Sequence, residues 1–263
     1  MDGNEVLFQV TDWFFDSKIY YFGISYNFEN IGSIGLSLTS FASGDMEETT
    51  IWEPEGTGRL FNTNDFAAGL TFARQITERF SAGITVKYIS ERLDRVDAST
   101  IAIDIGSVFV TNFLNNMRIG FVMSNLGGRM KLDGSDLTIQ YLAEPGIKYT
   151  RAQLGTESWD IPLLFRGGIA TNVLESEQYR FTLSAEVMDS RDFTTRMTTG
   201  GEIALYDIVF LRGGYKFNYD EADYTLGAGL EFSVTGIGIN LDYAYANYGL
   251  LDKCQRFSVI FVF

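Results

Sequence analysis

Phe80-Ser81-Ala82-Gly83-Ile84-Thr85-Val86-Lys87-Tyr88 alternates without a break. Phe80, Ala82, Ile84, Val86 and Tyr88 share one parity, and Ser81, Gly83, Thr85 and Lys87 share the other. Successive side chains of a strand point to opposite faces, so this period reads as a strand with one apolar and one small or polar face. The same pattern recurs along the chain. Tyr20, Phe22, Ile24, Tyr26 and Phe28 oppose Gly23, Ser25 and Asn27. Phe66, Ala68, Leu70 and Phe72 oppose Ala67, Gly69, Thr71 and Ala73, and Leu226, Ala228, Leu230 and Phe232 oppose Thr225, Gly227, Gly229 and Glu231.

Two details turn alternation into a membrane reading. Single charges stand in mid-strand on the small-residue parity: Lys87, Asp104, Arg166, Glu186, Glu202, Arg212, Glu231 and Asp242. The apolar parity is nearly free of charge there, as expected where an Arg or Lys facing lipid at mid-bilayer costs roughly 2–4 kcal/mol. A soluble β-sandwich, the competing architecture, more often carries runs of Lys and Glu on its wet face. Aromatic residues gather near strand ends, as in Trp13-Phe14-Phe15 and Tyr243 to Tyr248, which suits interfacial girdles.

The pattern predicts an all-β, antiparallel, up-and-down transmembrane barrel of about fourteen strands, a single domain over 1–263. Strand cores fall at 5–12, 17–28, 33–42, 65–75, 80–91, 98–111, 117–125, 163–173, 179–188, 197–206, 208–218, 223–235, 237–247 and 255–263. Connections after even-numbered strands are short, and both long loops, 43–64 and 126–162, follow odd-numbered strands. That sorting is expected of a bacterial outer-membrane barrel with both termini periplasmic. Closure leaves no backbone edge facing lipid. The last strand places Phe257, Val259, Phe261 and Phe263 at alternate positions ending on Phe. That resembles the signal read by the barrel-assembly machinery, with Ser258 where glycine is usual.

Composition excludes several functions. The formal charge is −14, which leaves no basic footprint for nucleic acid. Histidine is absent and Cys254 is the single cysteine, so His-based catalysis, His-ligated zinc and an internal disulfide are excluded. With no convincing nucleophile pair, neither enzymatic activity nor a cofactor is expected. Gly227-Ala228-Gly229 lacks the strand-loop-helix context of a phosphate loop. Met1-Asp2-Gly3-Asn4-Glu5 has neither basic nor apolar signal regions, so the sequence is read as lacking a signal peptide.

The inward charges suit either a polar permeation path or a salt-bridged, hydrated network filling the lumen. Loop 43–64 gathers Asp45, Glu47, Glu48, Glu53 and Glu55 around Trp52. It lacks the ligand spacing of a calcium loop, which leaves partner docking or simple solvation. Loop 126–162 holds Met130, Leu132, Leu137, Ile139, Tyr141, Leu142, Tyr149, Trp159 and Ile161, too apolar for a bare excursion. It is expected to fold over the mouth or form an external hairpin. Trp52, Glu53, Glu55, Tyr141, Tyr149 and Trp159 are the candidate partner contacts.

An ordered series of segments carries a family resemblance: Glu53-Pro-Glu-Gly-Thr-Gly58, Asp65-Phe-Ala-Ala-Gly-Leu-Thr-Phe-Ala-Arg74 and Arg79-Phe-Ser-Ala-Gly-Ile-Thr-Val-Lys-Tyr-Ile89. Ala102-Ile-Asp-Ile-Gly106, Leu163-Leu-Phe-Arg-Gly-Gly168 and Phe210-Leu-Arg-Gly-Gly-Tyr-Lys216 follow, then Asp242-Tyr-Ala-Tyr245 and Arg256-Phe-Ser258. The chain resembles the PorV/PorQ family, whose barrels are similar to the FadL long-chain fatty-acid transporter. The resemblance implies a fourteen-stranded barrel in a type IX-like secretion or surface-attachment pathway, serving as component or cargo-receiving factor. Its partners would be outer-membrane lipid, the assembly machinery, and secreted cargo or secretion-system subunits. The alternative is a FadL-like outer-membrane channel for hydrophobic small molecules. Members usually carry an N-terminal Asn-Pro-Ala-type stretch that resembles the FadL hatch; the sequence is read as lacking it.

Overall fold

Fourteen long strands run up and down in chain order in the computed structural model, which describes residues 3–141, 150–221, 223–251 and 253–263. They are β1 (Glu5–Asp12), β2 (Lys18–Phe28), β3 (Gly32–Ala42), β4 (Thr63–Thr77), β5 (Phe80–Leu93), β6 (Val96–Val110) and β7 (Arg118–Leu126). β8 (Leu164–Glu175), β9 (Tyr179–Ser190), β10 (Arg196–Leu205), β11 (Val209–Phe217), β12 (Tyr224–Val234), β13 (Ile237–Asn247) and β14 (Lys253–Val262) complete the set. Each pairs antiparallel with its chain neighbours, and β1 pairs with β14 from Glu5↔Val262 to Asp12↔Gln255. The sheet is therefore a closed barrel, and every strand has both edges hydrogen-bonded, the condition a membrane-spanning sheet must meet.

Residues directly opposite on antiparallel strands point the same way, so register carries one face around the ring. The outward face is the apolar parity read from sequence. Ile24, Leu70, Ile101, Phe121 and Leu226 stand on it between 40% and 62% exposed, far more contiguous apolar surface than a soluble protein shows to water. In β14, Phe257, Val259 and Phe261 share this face, opposite Val10, Phe8 and Val6 of β1. Beyond the strand, Phe263 and Asn4 exchange two backbone hydrogen bonds, of 2.8 and 3.0 Å.

The connections sort by end. One end has short turns, such as Tyr206-Asp207 and Thr235-Gly236; the other carries both long loops and also a tight turn at Asp94-Arg95. In the first long loop, Met46–Glu47 pairs with Leu60–Phe61 as a small hairpin. The second has two parts. Its root pairs Arg129–Met130 with Trp159–Asp160, and its outer part pairs Thr138–Tyr141 with Thr150–Gln153. Both expectations for this loop are realised, because the root turns inward while the outer part forms a hairpin.

Met130 at the root has no exposed surface and packs with Ile161 against Ala98 and Ala102 of β6 and Ile89 of β5. Those three wall residues share the lumen parity of Lys87, since Lys87 opposes Ala102 and Glu91 opposes Ala98. The loop root therefore sits inside the barrel mouth. Further along, Asp133–Gly134 pairs with the start of β6, and Gly134 (φ 151°) passes so close that a Cβ would lie 2.2 Å from the Arg95 carbonyl oxygen. No other residue fits that crossing.

Candidate functional site: the barrel lumen

All eight mid-strand charges lie on the parity opposite the apolar belt. The register links them through Thr85↔Asp104, Gly168↔Glu186, Glu202↔Arg212, Gly229↔Asp242 and Glu231↔Asn240. Five form two clusters on nearly opposite sides of the ring.

The first cluster spans β5 to β7. Lys87 Nζ lies 2.8 Å from Asp104 Oδ1, and Nζ also donates to Asn125 Oδ1. The register between β6 and β7 shifts between Ile103 and Ile105, freeing Asp104 to accept the Asn125 backbone N–H at 2.8 Å. Asn125 Nδ2 in turn donates to the Pro162 carbonyl, tying this cluster to the end of the long loop.

The second cluster spans β10 to β13. Arg212 Nε donates to Glu202 Oε2 at 2.7 Å, and its other arm reaches Asp242. To get there the guanidinium crosses β12, where a Cβ on Gly229 would stand 2.5 Å from Asp242 Oδ1 and 3.0 Å from Arg212 Nη1. The glycine is therefore the gap through which one cation serves two carboxylates. Such forked, charge-assisted bonds fix the geometry as well as neutralising charge.

Arg166, Glu186 and Glu231 make no ion pair within 4.0 Å among the described residues. Three inward cations that the sequence reading did not single out join the second cluster around a cavity of about 790 Å³: Arg118, Lys216 and Arg256. Lys216 donates to the Tyr248 hydroxyl at 3.1 Å, and Arg256 donates to Thr11 Oγ1 at 3.2 Å. Their signal was present, since each shares parity with a small inward neighbour, Gly120, Gly214 or Ser258.

A second recess, of about 570 Å³, lies on the outward face over β8 to β11, edged by Ile169, Leu183 and Tyr215. Its floor is Thr199, Gly201 and Gly213. Gly200 opposes Gly214 and Gly201 opposes Gly213, so four glycines form a patch of wall with no side chain on either face. The lumen cavity borders the same four residues from inside. One backbone thickness separates the two spaces.

Trp52, Glu53 and Glu55 are exposed on the first loop; Trp159 stands at the root of the second, opposite Met130. Tyr141 ends the strand that pairs with Thr150, and Tyr149 lies outside the described residues. Ion pairs clamp the loops to one another. Arg59 joins Glu48 (3.0 Å) and Asp94, and Arg95 reaches Asp136 (3.3 Å). The hydrogen bond from Arg59 holds the Asp94 carboxyl below its ordinary range.

No family model and no curated protein matches the chain. Among solved structures it is similar to the Ralstonia pickettii toluene transporter TbuX, at 10% identity and a TM-score of 0.58, covering all of this chain and 89% of that one. It is similar to the Pseudomonas putida toluene transporter TodX at 11% identity and TM-score 0.57, again with 100% and 89% covered. A Pseudomonas aeruginosa FadL homologue gives 12% identity, TM-score 0.55, and 100% and 90% covered. The fold is thus a closed fourteen-stranded barrel of the FadL-like outer-membrane type.

Proposed function

We propose that this chain is a non-enzymatic outer-membrane channel for hydrophobic small molecules, with its long loops outside the cell. The observation that carries the reading is the glycine patch: an apolar recess facing lipid and the lumen cavity back onto the same four residues. An apolar solute leaves water for hydrocarbon with a gain of roughly 25 cal/mol per Å² of its surface. A bare wall beside an apolar recess offers a short path for that transfer. The paired lumen charges serve it too, because matched ions demand less solvation than lone ones. The fold shared with two toluene transporters and a FadL homologue supports the same reading. No observation favours the secretion role implied by the PorV/PorQ resemblance over the channel.

The test is uptake of a radiolabelled monoaromatic hydrocarbon by porin-deficient Gram-negative cells with an intact outer leaflet. Cells expressing the chain take it up faster than empty cells. Gly201→Leu with Gly213→Leu fills the recess and returns uptake toward the empty-cell level. A Cβ on Gly213 meets nothing within 4 Å, and the atoms nearest one on Gly201, from Leu183 and Phe181, lie at 3.5 Å, so both positions have room for a side chain. Uptake no faster than in empty cells, or untouched by the double substitution, sinks the proposal.

A further inference from the structure

Four large apolar side chains at the long-loop end are almost wholly exposed: Phe15 (85%), Ile51 (93%), Trp52 (89%) and Leu250 (93%). They come from three connections, β1–β2, β3–β4 and β13–β14, which are adjacent around the ring because β13, β14, β1, β2, β3 and β4 are consecutive neighbours. The connections touch. The Phe14 ring packs on Tyr248 at 4.9 Å and Trp13 on the same ring at 5.9 Å, joining the β1–β2 and β13–β14 connections. On the other side, a Cβ at Gly44 would lie 3.3 Å from Asp16 Cβ and 3.5 Å from the Phe15 carbonyl oxygen.

The tip that presents Ile51 and Trp52 is built, not loose. Thr50 and Glu53 exchange backbone hydrogen bonds of 3.2 Å on either side of the two residues, and the Thr50 hydroxyl accepts a further bond from the Glu53 N–H at 3.0 Å. Below them Glu48 N donates to Arg59 O and Thr57 N to Glu48 O, both at 2.8 Å. Surface tryptophan on a rigid tip loses little freedom on binding, a property of recognition anchors.

Charge decides the occupant. Asp16, Asp45, Glu47, Glu53 and Glu55 are exposed on these connections and none has a cationic partner within 4.0 Å among the described residues. Of the cations here, Lys18 is paired with Asp12 and Arg59 with Glu48 and Asp94, Lys216 reaches Tyr248 from the lumen, and Lys253 stands at the start of β14. Apolar tips ringed by uncompensated carboxylates repel an anionic membrane surface and a second acidic copy of this chain, and fit the opposite charge. We infer that these three connections form a docking surface for a cationic amphipathic segment of a protein partner. The surface stands apart from the lumen, and its test does not depend on transport.

The full chain is placed in nanodiscs of neutral phosphatidylcholine, and binding of a labelled synthetic helix with leucines on one face and lysines on the other is read by anisotropy. A peptide of the same composition, scrambled to have no face, and empty nanodiscs are the references. The faced peptide binds at least about tenfold tighter than either. Phe15→Ser, Ile51→Ser, Trp52→Ser and Leu250→Ser together remove that preference, and Glu53→Gln with Glu55→Gln flattens its salt dependence. Because these tips are exposed, both variants keep the heat-modifiable migration of the folded barrel. Equal binding of the scrambled peptide, or a tip variant that binds as before, overturns the proposal. So does a tip-dependent dimer in sedimentation, which assigns the surface to a second copy, or tip-dependent binding of lipopolysaccharide vesicles, which assigns it to lipid.

Discussion

The wall at β5 to β7 and the wall at β8 to β11 solve the same closure in opposite ways. The first is doubled: the long-loop root lies against it from inside, Met130 is fully buried on Ala98 and Ala102, and Asn125 ties the Lys87–Asp104 pair to Pro162. The second is stripped to backbone at Gly200, Gly201, Gly213 and Gly214, with a recess on its outer side and the lumen cavity on its inner side. The hydrogen-bonded ladder alone suffices to close a barrel. Side-chain packing is then free to be concentrated at the mouth, around Met130, and withdrawn at the glycine patch.

The largest effect should come from undoing the doubled side. Met130→Ala empties the small core at the loop root and costs locally about 2–3 kcal/mol. Opening of the loop then rises on the order of tenfold to a hundredfold. Limited proteolysis within 127–163 and a higher bilayer conductance would register it; unchanged cleavage would mean the root is held by its ion pairs instead. Next comes the polar cluster beside the thin wall. Arg212→Met leaves Glu202 and Asp242 facing each other without their cation. Discounted for a guanidinium that is 39% exposed, this costs about 1–2 kcal/mol, read as a lower midpoint in urea unfolding from vesicles. Gly229→Val should cost about 1–3 kcal/mol by pushing the same guanidinium off Asp242, and a variant as stable as the parent would contradict the crossing described.

The smallest effect concerns pH at the loop clamp. Asp94 has a depressed folded pKa, so its contribution is complete above the ordinary aspartate value of about 3.9 and disappears as pH falls through the lower folded value. Loop protection should therefore persist at pH 5 and fail only in stronger acid. Hydrogen exchange around Arg59 and Asp94 that already loosens near pH 5 would argue against the clamp.

Period two made the strands legible, because each strand reports its own facing; Phe80 to Tyr88 needs no partner to be read. Parity, however, says which face a side chain occupies and nothing of its height along the axis. Arg212 meets Glu202 and Asp242 because register aligns them, whereas Arg166 and Glu186 share the face and still form no pair. The Asp104 contact to Asn125 rests on a register shift with no local sequence mark. Gly200-Gly201 and Gly213-Gly214 are visible as two glycine pairs, but the window exists only because they lie opposite. The apolar content of 126–162 announced that something must cover it. That the cover is the inner wall depends on Ala98 and Ala102 being small enough to receive Met130.

The pairing of Glu5 with Val262 has a consequence in time. Nearly the whole chain separates the two residues that close the ring. The other pairings among the fourteen strands join neighbours in chain order and can form early, but this one carries the entropy of the largest loop of the barrel. Until it forms, β1 and β14 are both naked, sticky edges. The slowest step in making this barrel is thus also its most aggregation-prone moment, and a chaperoning factor would act with most effect on a single seam.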